Sequence, residues 1–381
     1  MGHNEVWTKA AREAVVLLPT RPHGVLRMRG ADRVEFLHNY TTQDIKALEP
    51  GGGCTSAISN WRGTVTDFVR ILARPDELLI VGSPGRQGVV KKALEQFIVG
   101  VDVRIEDVTE QIAVLEIWGP QTAKALGAVR ELALDAQRTV QFAPALIEMA
   151  ERDNPLADID AGAGADADTG AGADADADAD TGADADADTD MATDTEFPAN
   201  TSAIVVRTRG ACGDGALVLV PSSAEHAMRD RLRRLGATAI GDQAREIVRI
   251  AEGIPEFGKD IGEDTNVWEA RLDGSVSMQK GCYLGQEIVA RLFNYQKVQR
   301  YLMGLAIEGS EPVPQGAEVL GTDGEPIGHV TSAAPAETGG IRALAMLKQA
   351  AASAGAGVRV GERVAVLEDR AFWKGAQAAI T

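Results

Sequence analysis

The stretch Lys280-Gly281-Cys282-Tyr283-Leu284-Gly285-Gln286-Glu287 decides how the rest of the chain is interpreted. It places a thiol between a glycine and a tyrosine, two residues after a lysine, and an amphipathic run that predicts a helix follows it. A helix N-terminus and a nearby ammonium both favour a thiolate. We therefore predict Cys282 and Lys280 as catalytic residues. The alternatives are a small residue buried at a helix start for Cys282 and a solvated surface lysine for Lys280.

The other residues of this stretch have predicted roles of their own. Tyr283 is suited either to stacking on an aromatic ligand or to packing in the core. Gly281 and Gly285 are predicted to give the loop its backbone freedom. Gln286 and Glu287 are predicted to fix the loop through hydrogen bonds to backbone N–H groups.

The acidity of the chain belongs mostly to one segment. The 381 residues carry a formal net charge of −18, and residues 153–196 contribute −15 of it, with 14 Asp, one Glu and no Lys or Arg. The nearly neutral remainder is long enough for two or three domains. It has no strong basic patch, so we expect no direct nucleic-acid partner. Four arginines are interpreted as a solvated helix face: Arg229, Arg231, Arg233 and Arg234.

The acidic segment is predicted to be a disordered insert on the surface. Its Ala-Asp tract, residues 161–190, has almost no apolar bulk and strong self-repulsion. Asp176, Asp178 and Asp180 have the spacing of a calcium loop, but Thr181 and Ala187 occupy the positions that need Gly and Glu. We predict that deletion of residues 158–194 leaves the melting temperature and the activity intact.

Cysteine usage and hydropathy indicate the compartment and exclude some kinds of site. Cys54, Cys212 and Cys282 are far apart and lack the spacing of zinc or iron–sulfur ligands, so we expect no permanently bound metal and no disulfide framework. No apolar run of about 18 residues occurs, so we expect no membrane partner. A cytoplasmic, reducing location is the prediction.

The pattern of elements favours an α+β fold. Strands alternate with helices and hairpins up to residue 299, and from Tyr301 onward the sequence predicts a small β-barrel or sandwich with an Asp323-Gly324 hairpin turn. Among the helix starts, Asp32 and Ser223 are predicted N-caps, and Ser83 is predicted to cap a helix with Pro84 at its first position.

The octapeptide K-G-C-Y-x-G-Q-E resembles the signature of the YgfZ family, the folate-binding relatives of the glycine-cleavage T-protein. Further segments are similar to motifs of the T-protein superfamily, in the same order. They are Gly30-Ala31-Asp32-Arg33 with Phe36-Leu37, Thr42-x-Asp44-Ile45, Gly119-Pro120, Arg249-Ile250-x-x-Gly253-Ile254-Pro255 and Ile327-Gly328-His329-Val330-Thr331-Ser332.

The resemblance implies a multi-domain α+β fold around a central folate channel, followed by a small C-terminal β-barrel. The implied domains are residues 1–152 with 197–299 for the folate-binding region, 153–196 for the insert and 300–381 for the barrel. The implied cofactor is tetrahydrofolate or a derivative. The implied partners are iron–sulfur client or assembly proteins.

The resemblance also implies cofactor-binding residues. Aminomethyltransferases of this superfamily carry two adjacent aspartates, and here the corresponding pair is Thr66-Asp67, so one carboxylate is missing. Asp67 and Asn60 would flank the channel, although Asn60 is equally suited to stabilising a turn. Asp214 stands near the position of a pterin-binding glutamate. Arg249 would pair with a folate carboxylate or, alternatively, form an internal ion pair with Glu246 or Glu252.

Three functions are compatible with these residues. The first is a folate-binding accessory protein that supports assembly or repair of [4Fe–4S] enzymes through Cys282, which would attack a one-carbon unit, form a mixed disulfide or transiently hold iron or sulfide. The second is a folate-dependent aminomethyltransferase of glycine cleavage, and it is the form that an enzymatic activity would take. The third is a non-catalytic folate-binding regulator that affects tRNA modification through iron–sulfur enzymes.

Overall fold

The computed structural model describes residues 9–11, 13–126, 146–149, 203–210, 213–337 and 339–368. The acidic insert and Cys212 lie outside the described residues. The described chain forms two antiparallel-rich sheets that pack face to face and a closed barrel, so the predicted α+β class and the C-terminal barrel are confirmed.

The first sheet has five strands in the order β3-β4-β5-β2-β6. Their bounds are β2 His23–Arg29, β3 Gly53–Ser59, β4 Val65–Ala73, β5 Glu77–Pro84 and β6 Arg104–Asp107. Two helices, α1 Arg33–Tyr40 and α2 Gln87–Glu95, cover one face. Phe36 and Leu37 of α1, with Val90 and Leu94 of α2, form a buried cluster with that face, as the apolar stripes predict.

The second sheet has six strands in the order β11-β1-β7-β10-β9-β8. They are β1 Val16–Leu17, β7 Ile112–Trp118, β8 Leu146–Met149, β9 Ala203–Gly210, β10 Gly213–Pro221 and β11 Thr238–Ala239. Helices α3 Thr122–Ala125 and α4 Glu225–Arg234 pack on its outer face. Its inner face meets the first sheet through apolar residues of both, among them Val25, Leu72, Val114, Val206 and Leu217.

The barrel is closed by six strands in the order β12-β15-β14-β13-β16-β17. They are β12 Arg300–Ile307, β13 Glu318–Leu320, β14 Pro326–Pro335, β15 Ile341–Lys348, β16 Gly357–Val360 and β17 Arg363–Glu368. The predicted Asp323-Gly324 turn joins β13 to β14, and Gly324 has a φ of 83°, which a side chain rarely adopts. Closure leaves the barrel without an edge strand.

Two helices tie these units together. Helix α5, Asp242–Ala251, lies between the second sheet, which it meets through Ala244 and Val248, and the barrel, which it meets through Ile247 and Ile250. Helix α6, Gln286–Asn294, packs Val289 against β3 and β4 of the first sheet. The amphipathic run after Tyr283 therefore forms the predicted helix.

Ser83 and Ser223 are not helix caps, and Asp32 stands at the predicted N-cap position of α1 without making the side-chain capping bond. Asp32 Oδ2 accepts a hydrogen bond from the N–H of Asp102 rather than from its own helix. Strand β5 continues through Pro84, which pairs with His23, so α2 begins only at Gln87. Ser223 lies inside a 3-10 turn, Ser222–Ala224, and α4 has no side-chain cap.

The predicted solvated face of α4 is only partly free. Arg229 donates to the carbonyl oxygen of Leu18, and Arg233 pairs with Asp230 on the same helix. Within the described ranges, no helix is both long and apolar enough to cross a membrane.

Candidate functional site around the cysteine loop

The cysteine loop, residues 280–285, is seated against α1 and the turn between β3 and β4. The N–H of Leu284 donates to the carbonyl oxygen of Asn39, and Ser59 Oγ donates to the carbonyl oxygen of Leu284. Gly285 has a φ of 82°, and a Cβ there would lie 2.3 Å from the carbonyl oxygen of Asn60. A side chain at position 285 would push the loop off this turn.

Lys280 is the anchor of the loop. Its Nζ donates to the carbonyl oxygens of His38, Thr41 and Gln43, at 2.7 Å for Thr41 and 3.0 Å for Gln43. Burial lowers the pKa of this ammonium to about 8, against the opposing effect of the Asp44 carboxylate. The alternative of a solvated lysine is therefore wrong. The ammonium faces the end of α1, and its three hydrogen bonds go to the last turn of that helix and to the loop after it.

Cys282 is the exposed member of the two cysteines that lie in the described chain, whereas Cys54 is buried. The alternative of a small buried residue at a helix start is therefore wrong. Cys282 precedes Gly285, the N-cap of α6, by three positions. Burial raises the pKa of Cys54 to about 12, so that thiol stays protonated at neutral pH.

Tyr283 and Gln286, which follow Cys282, stabilise the cysteine loop. Tyr283 is 8% exposed, and its ring lies under the Lys280 ammonium, 4.8 Å from Nζ. Burial raises the pKa of this phenol to about 12. Gln286 Oε1 accepts from the N–H of Tyr283, the kind of hydrogen bond predicted for it. Glu287 is exposed in the first turn of α6.

His38 and Asp44 form a pair beside the loop that the sequence did not single out. His38 is 4% exposed, and its Nδ1 lies 3.2 Å from Asp44 Oδ1. Its Nε2 lies 3.7 Å from the point where a Cβ on Gly281 would stand. Burial and the Lys280 charge lower the pKa of His38, and Asp44 opposes them. A histidine one turn from the end of α1 was the available signal.

Asn60 and Asp67 are both engaged in backbone contacts. Asn60 Oδ1 accepts from the N–H of Arg62, and Asn60 Nδ2 donates to Thr64 Oγ1, which is the turn-stabilising alternative. Asp67 is fully buried, with Oδ1 and Oδ2 accepting from the N–H groups of Phe68 and Ser83. Burial raises the pKa of Asp67, and these hydrogen bonds oppose it.

The direction of Asp67 follows from strand alternation. Val69 and Ile71 belong to the helix-covered core, and Asp67 lies on the same face of β4. Arg70 lies on the other face with Leu72, which packs against the second sheet. Asp67 therefore points away from the space between the sheets, and Arg70 points into it.

The Arg70 cluster, defined as Arg70, His23 and Glu116, lies between the two sheets. Arg70 Nε is sealed from solvent, and this guanidinium makes no hydrogen bond or ion pair with the described residues. Burial lowers the pKa of Arg70, and Glu116 opposes this. Glu116 Oε1 accepts from Trp118 Nε1, while Oε2 lies 3.9 Å from His23 Nε2. Burial also lowers the pKa of His23.

Arg249 has the environment of an internal ion pair. It is fully buried, and all five N–H donors of its guanidinium are engaged. The acceptors are Glu246 Oε1 and Oε2, the carbonyl oxygen of Ile254, Asp260 Oδ2 and Ser332 Oγ. The predicted pairing with a folate carboxylate would require one of these bonds to break. The alternative pairing with Glu246 is present, and Ser332 extends it to the barrel.

The predicted site residues therefore fall into separate groups. Lys280, Cys282, Tyr283 and the Asn60 turn lie together at the cysteine loop. Asp214 is half-buried on β10 of the second sheet. Arg249 belongs to α5, and its guanidinium contacts the barrel through Ser332. No group of three or more His, Cys, Asp or Glu side chains suited to a metal ion occurs in the part of the chain that the structure describes.

Two segments of the chain match domains of a known protein family. Residues 4–151 match the GCVT N-terminal domain, and residues 300–366 match the glycine cleavage T-protein C-terminal barrel domain. The chain belongs to the glycine cleavage T-protein superfamily. The first match covers the first sheet and strands β1, β7 and β8 of the second, and the second match covers most of the closed barrel.

Individual T-protein relatives match over most of the chain. A chloroplastic protein of Arabidopsis thaliana named as a transferase is 26% identical over 92% of this chain and 69% of that protein. An aminomethyltransferase of Herpetosiphon aurantiacus is 25% identical over 92% of this chain and 84% of that protein.

A solved T-protein structure shows the same fold. Glycine cleavage system aminomethyltransferase T of Bartonella henselae superposes with a TM-score of 0.70 at 19% identity, covering 98% of this chain and 90% of that one. The predicted T-protein-like architecture is therefore confirmed.

Proposed function

We propose that this T-protein superfamily member is a tetrahydrofolate-binding accessory protein of the YgfZ type that supports assembly or repair of [4Fe–4S] enzymes through Cys282. The observation that carries the proposal is the cysteine loop. Lys280 is buried against three carbonyls, Tyr283 is packed beneath it and Cys282 alone of this trio is exposed. A loop this firmly held presents a thiol to a partner in one fixed position.

We infer that the pterin ring of tetrahydrofolate binds beside Arg70, between the two sheets. Arg70 carries a guanidinium without an acceptor in the described chain, and Thr208 Oγ1 is buried without a hydrogen bond. A pterin edge offers both donors and acceptors, so Arg70 would donate to its carbonyl and Glu116 Oε2 would accept from its N–H groups. Bound tetrahydrofolate would supply one-carbon chemistry, and Arg70, Glu116 and His23 would orient it. Asp67, Asn60 and Asp214 remain proposed cofactor-binding residues, outside the Arg70 cluster.

The direct test is complementation of a deletion strain, read out as the activity of a [4Fe–4S] enzyme such as a radical tRNA-methylthiolating enzyme. We expect wild type to rescue and both Cys282→Ala and Cys282→Ser to fail. Met278→Ala is the matched control, because Met278 is another exposed residue just before the same loop. Rescue by both cysteine variants would end this mechanism. It would favour the non-catalytic folate-binding regulator, if folate affinity is unchanged in them.

An aminomethyltransferase of glycine cleavage is the second candidate, because several curated relatives carry that name over most of this chain. Two observations weigh against it: the missing carboxylate beside Asp67, and the orientation of Asp67 away from the space between the sheets. The assay is release of ammonia from an aminomethylated lipoyl carrier protein, with and without tetrahydrofolate. Stimulated release would replace the first proposal by this one.

A further inference from the structure

A pocket opens at the corner of the first sheet where β2 pairs with the edge strand β6. Its volume is about 360 Å³, at the small end of the range of about 300 to 1,000 Å³ that is typical of ligand pockets. We name it the arginine pocket. Five charged residues line it: Arg27, Arg29, Asp102, Arg104 and Glu106.

The register of β2 and β6 places two arginines side by side in this pocket. Arg29 pairs with Arg104, and Arg27 pairs with Glu106, in the antiparallel ladder between the two strands. Met28 lies between the two arginines of β2 and belongs to the helix-covered core, so the charged side chains share the opposite face. Side chains directly opposite each other in such a ladder have Cβ atoms about 4.5 to 5.5 Å apart, and like charges at that spacing repel.

The nearby glutamates leave donors of this arginine pair available. Glu77 Oε2 accepts from Arg29 Nε at 3.0 Å and lies 2.8 Å from Arg29 Nη2, while Arg29 Nη1 makes no hydrogen bond with the described residues. Arg104 is exposed and has neither a hydrogen bond nor an ion pair within the described chain. Glu106 Oε2 lies 3.1 Å from Arg27, not from the arginine pair.

The wall of the pocket next to this pair is fixed by backbone contacts. Asp102 Oδ2 accepts from the N–H of Ala31 at 2.9 Å, and the N–H of Asp102 donates to Asp32 Oδ2 at 2.8 Å. Gly30 has a φ of 117°, and a Cβ there would lie 2.0 Å from the carbonyl oxygen of Asp102. The turn after β2 is therefore joined closely to the residues before β6, which holds the two arginines in place.

We propose that the arginine pocket binds a phosphate group, whose oxygen atoms accept hydrogen bonds from Arg29 and Arg104. A phosphate monoester carries nearly two negative charges at pH 7 and three acceptor oxygens, so it offsets the repulsion between two guanidiniums. The planar fork of arginine also matches the geometry of phosphate oxygens. Inorganic phosphate and a small organic phosphate both offer this chemistry.

The arginine pocket is separate from the proposed folate site. Leu79 and Val81 of β5 lie between Arg70 on β4 and Arg27 on β2, and both are buried against the second sheet. A phosphate in the pocket and a pterin beside Arg70 would therefore occupy different positions. This site goes beyond the proposed function and does not depend on it.

The test is isothermal titration calorimetry of the purified full-length chain in Tris chloride at neutral pH. The titrants are inorganic phosphate, adenosine monophosphate and adenosine. We expect both phosphates to bind and adenosine, which lacks the phosphate, to give no binding heat. Tighter binding of adenosine monophosphate than of inorganic phosphate identifies an organic phosphate as the ligand, whereas equal affinity identifies free phosphate. No binding of either phosphate overturns the proposal.

Two substitutions in the pocket should act in opposite directions. Arg104→Met should weaken phosphate binding about tenfold, the size of one charge-assisted hydrogen bond. Glu106→Gln should strengthen it about threefold, because it removes a negative charge from the pocket wall. Arg234→Met is the matched control, because Arg234 is an exposed arginine on α4 beside the second sheet, and we expect it to leave the affinity unchanged.

An unchanged phosphate affinity in folded Arg104→Met overturns the proposal, and so does an equal loss in Arg234→Met. The arginines would then serve only to keep the edge strand β6 from pairing with another chain. If Arg104→Met does not fold by circular dichroism, Glu106→Gln decides, and weaker or unchanged binding in it overturns the proposal. The tetrahydrofolate affinity of Arg104→Met should equal that of wild type, so failure of the folate site and failure of the phosphate site remain distinguishable.

Discussion

Arg249 and Arg70 are two arginines held between packed elements, and their surroundings are opposite. Arg249 donates all five of its N–H groups to acceptors on α5, the segment after it and the barrel. Arg70 has no hydrogen-bond acceptor among the described residues, and its favourable electrostatic interaction is with Glu116. Removal of a guanidinium from water is costly unless the protein replaces the lost hydrogen bonds.

The difference separates a fully paired arginine, Arg249, from the arginine that we propose as a ligand contact, Arg70. A fully paired guanidinium fixes the barrel against α5 and has nothing left for a ligand. A guanidinium that the fold leaves unpaired is kept at the expense of stability, which is typical of a group that meets its partner only when a ligand binds. The sequence pointed to Arg249 as a folate partner or as an internal ion pair and gave no signal for Arg70. The Glu246 ion pair of Arg249 is present, and Arg70 is the arginine that we propose for folate.

The largest expected effect is the loss of Arg249. Arg249→Met should destabilise the protein by about 3 to 5 kcal/mol, because it leaves Asp260, whose side chain is fully buried, without its cation. Urea unfolding followed by circular dichroism measures the change. Arg70→Met is the matched control, and we expect it to keep or raise the unfolding free energy. Equal destabilisation by both substitutions would remove the contrast between the two arginines.

The next effect concerns binding. Arg70→Met should weaken tetrahydrofolate about 10- to 100-fold, which corresponds to one charge-assisted hydrogen bond of about 1.5 to 3 kcal/mol. Anaerobic titration calorimetry with tetrahydrofolate gives the affinity. Arg104→Met serves as the control, because Arg104 is an exposed arginine on β6. Unchanged affinity in Arg70→Met would place the folate elsewhere.

The third effect is the pH dependence of stability that comes from Glu256, a carboxylate that pairs with Arg21 and Arg245 and lies near Arg249. Burial alone would raise the pKa of Glu256, but the hydrogen bond from Arg21 and the charge of Arg245 outweigh it and hold the pKa well below its usual range. The folded state therefore gains stability above the unfolded pKa, about 4.3, and loses it as the pH falls below that value.

Glu256→Gln should accordingly lower the unfolding free energy by about 1 to 3 kcal/mol at pH 7, and the difference from wild type should shrink below about pH 4.5. Urea unfolding at pH 7, 5 and 4 gives the comparison. A difference independent of pH would mean that packing, rather than charge, is lost.

The smallest expected effects come from two hydroxyl groups. Ser332→Ala removes an acceptor of Arg249 and should destabilise by about 1 kcal/mol. Thr208→Val removes a buried hydroxyl without a partner and should be neutral or stabilising by up to about 1 kcal/mol. Thermal melts of both variants check the signs. Stabilisation by Ser332→Ala would contradict the conclusion that all five N–H groups of Arg249 make favourable hydrogen bonds.

Local signals in the sequence predicted the elements that depend on near neighbours. The Asp323-Gly324 turn and the helix after Tyr283 are formed by residues close together in the chain, and they appear where the pattern placed them. The pairing of β1 with β11 was not predicted, because it brings together residues 16 and 238, which are far apart in the chain. A two-residue strand has no periodicity to detect.

The candidate site was predictable only in part for the same reason. Cys282 was marked by its motif, but the burial of Lys280 depends on carbonyls of the loop after α1. Among the three residues predicted as caps, Asp32 and Ser83 hydrogen-bond to residues distant in the chain, and Ser223 lies inside a 3-10 turn. The surroundings of His38 and Arg70 could not be predicted, because their neighbours Lys280 and Glu116 come from distant parts of the chain.

The anchoring of Lys280 also sets an order of events during synthesis. Its hydrogen bond to His38 spans 242 positions of the chain. At about 5 to 20 residues per second, the ribosome needs roughly 12 to 48 seconds between making the carbonyls and making the ammonium that binds them. During that time the carbonyl oxygens of His38, Thr41 and Gln43 lack the ammonium that they bind in the folded chain. A nascent chain interrupted before residue 282 lacks the Cys282 thiol, so this thiol is made only after both sheets have been synthesised.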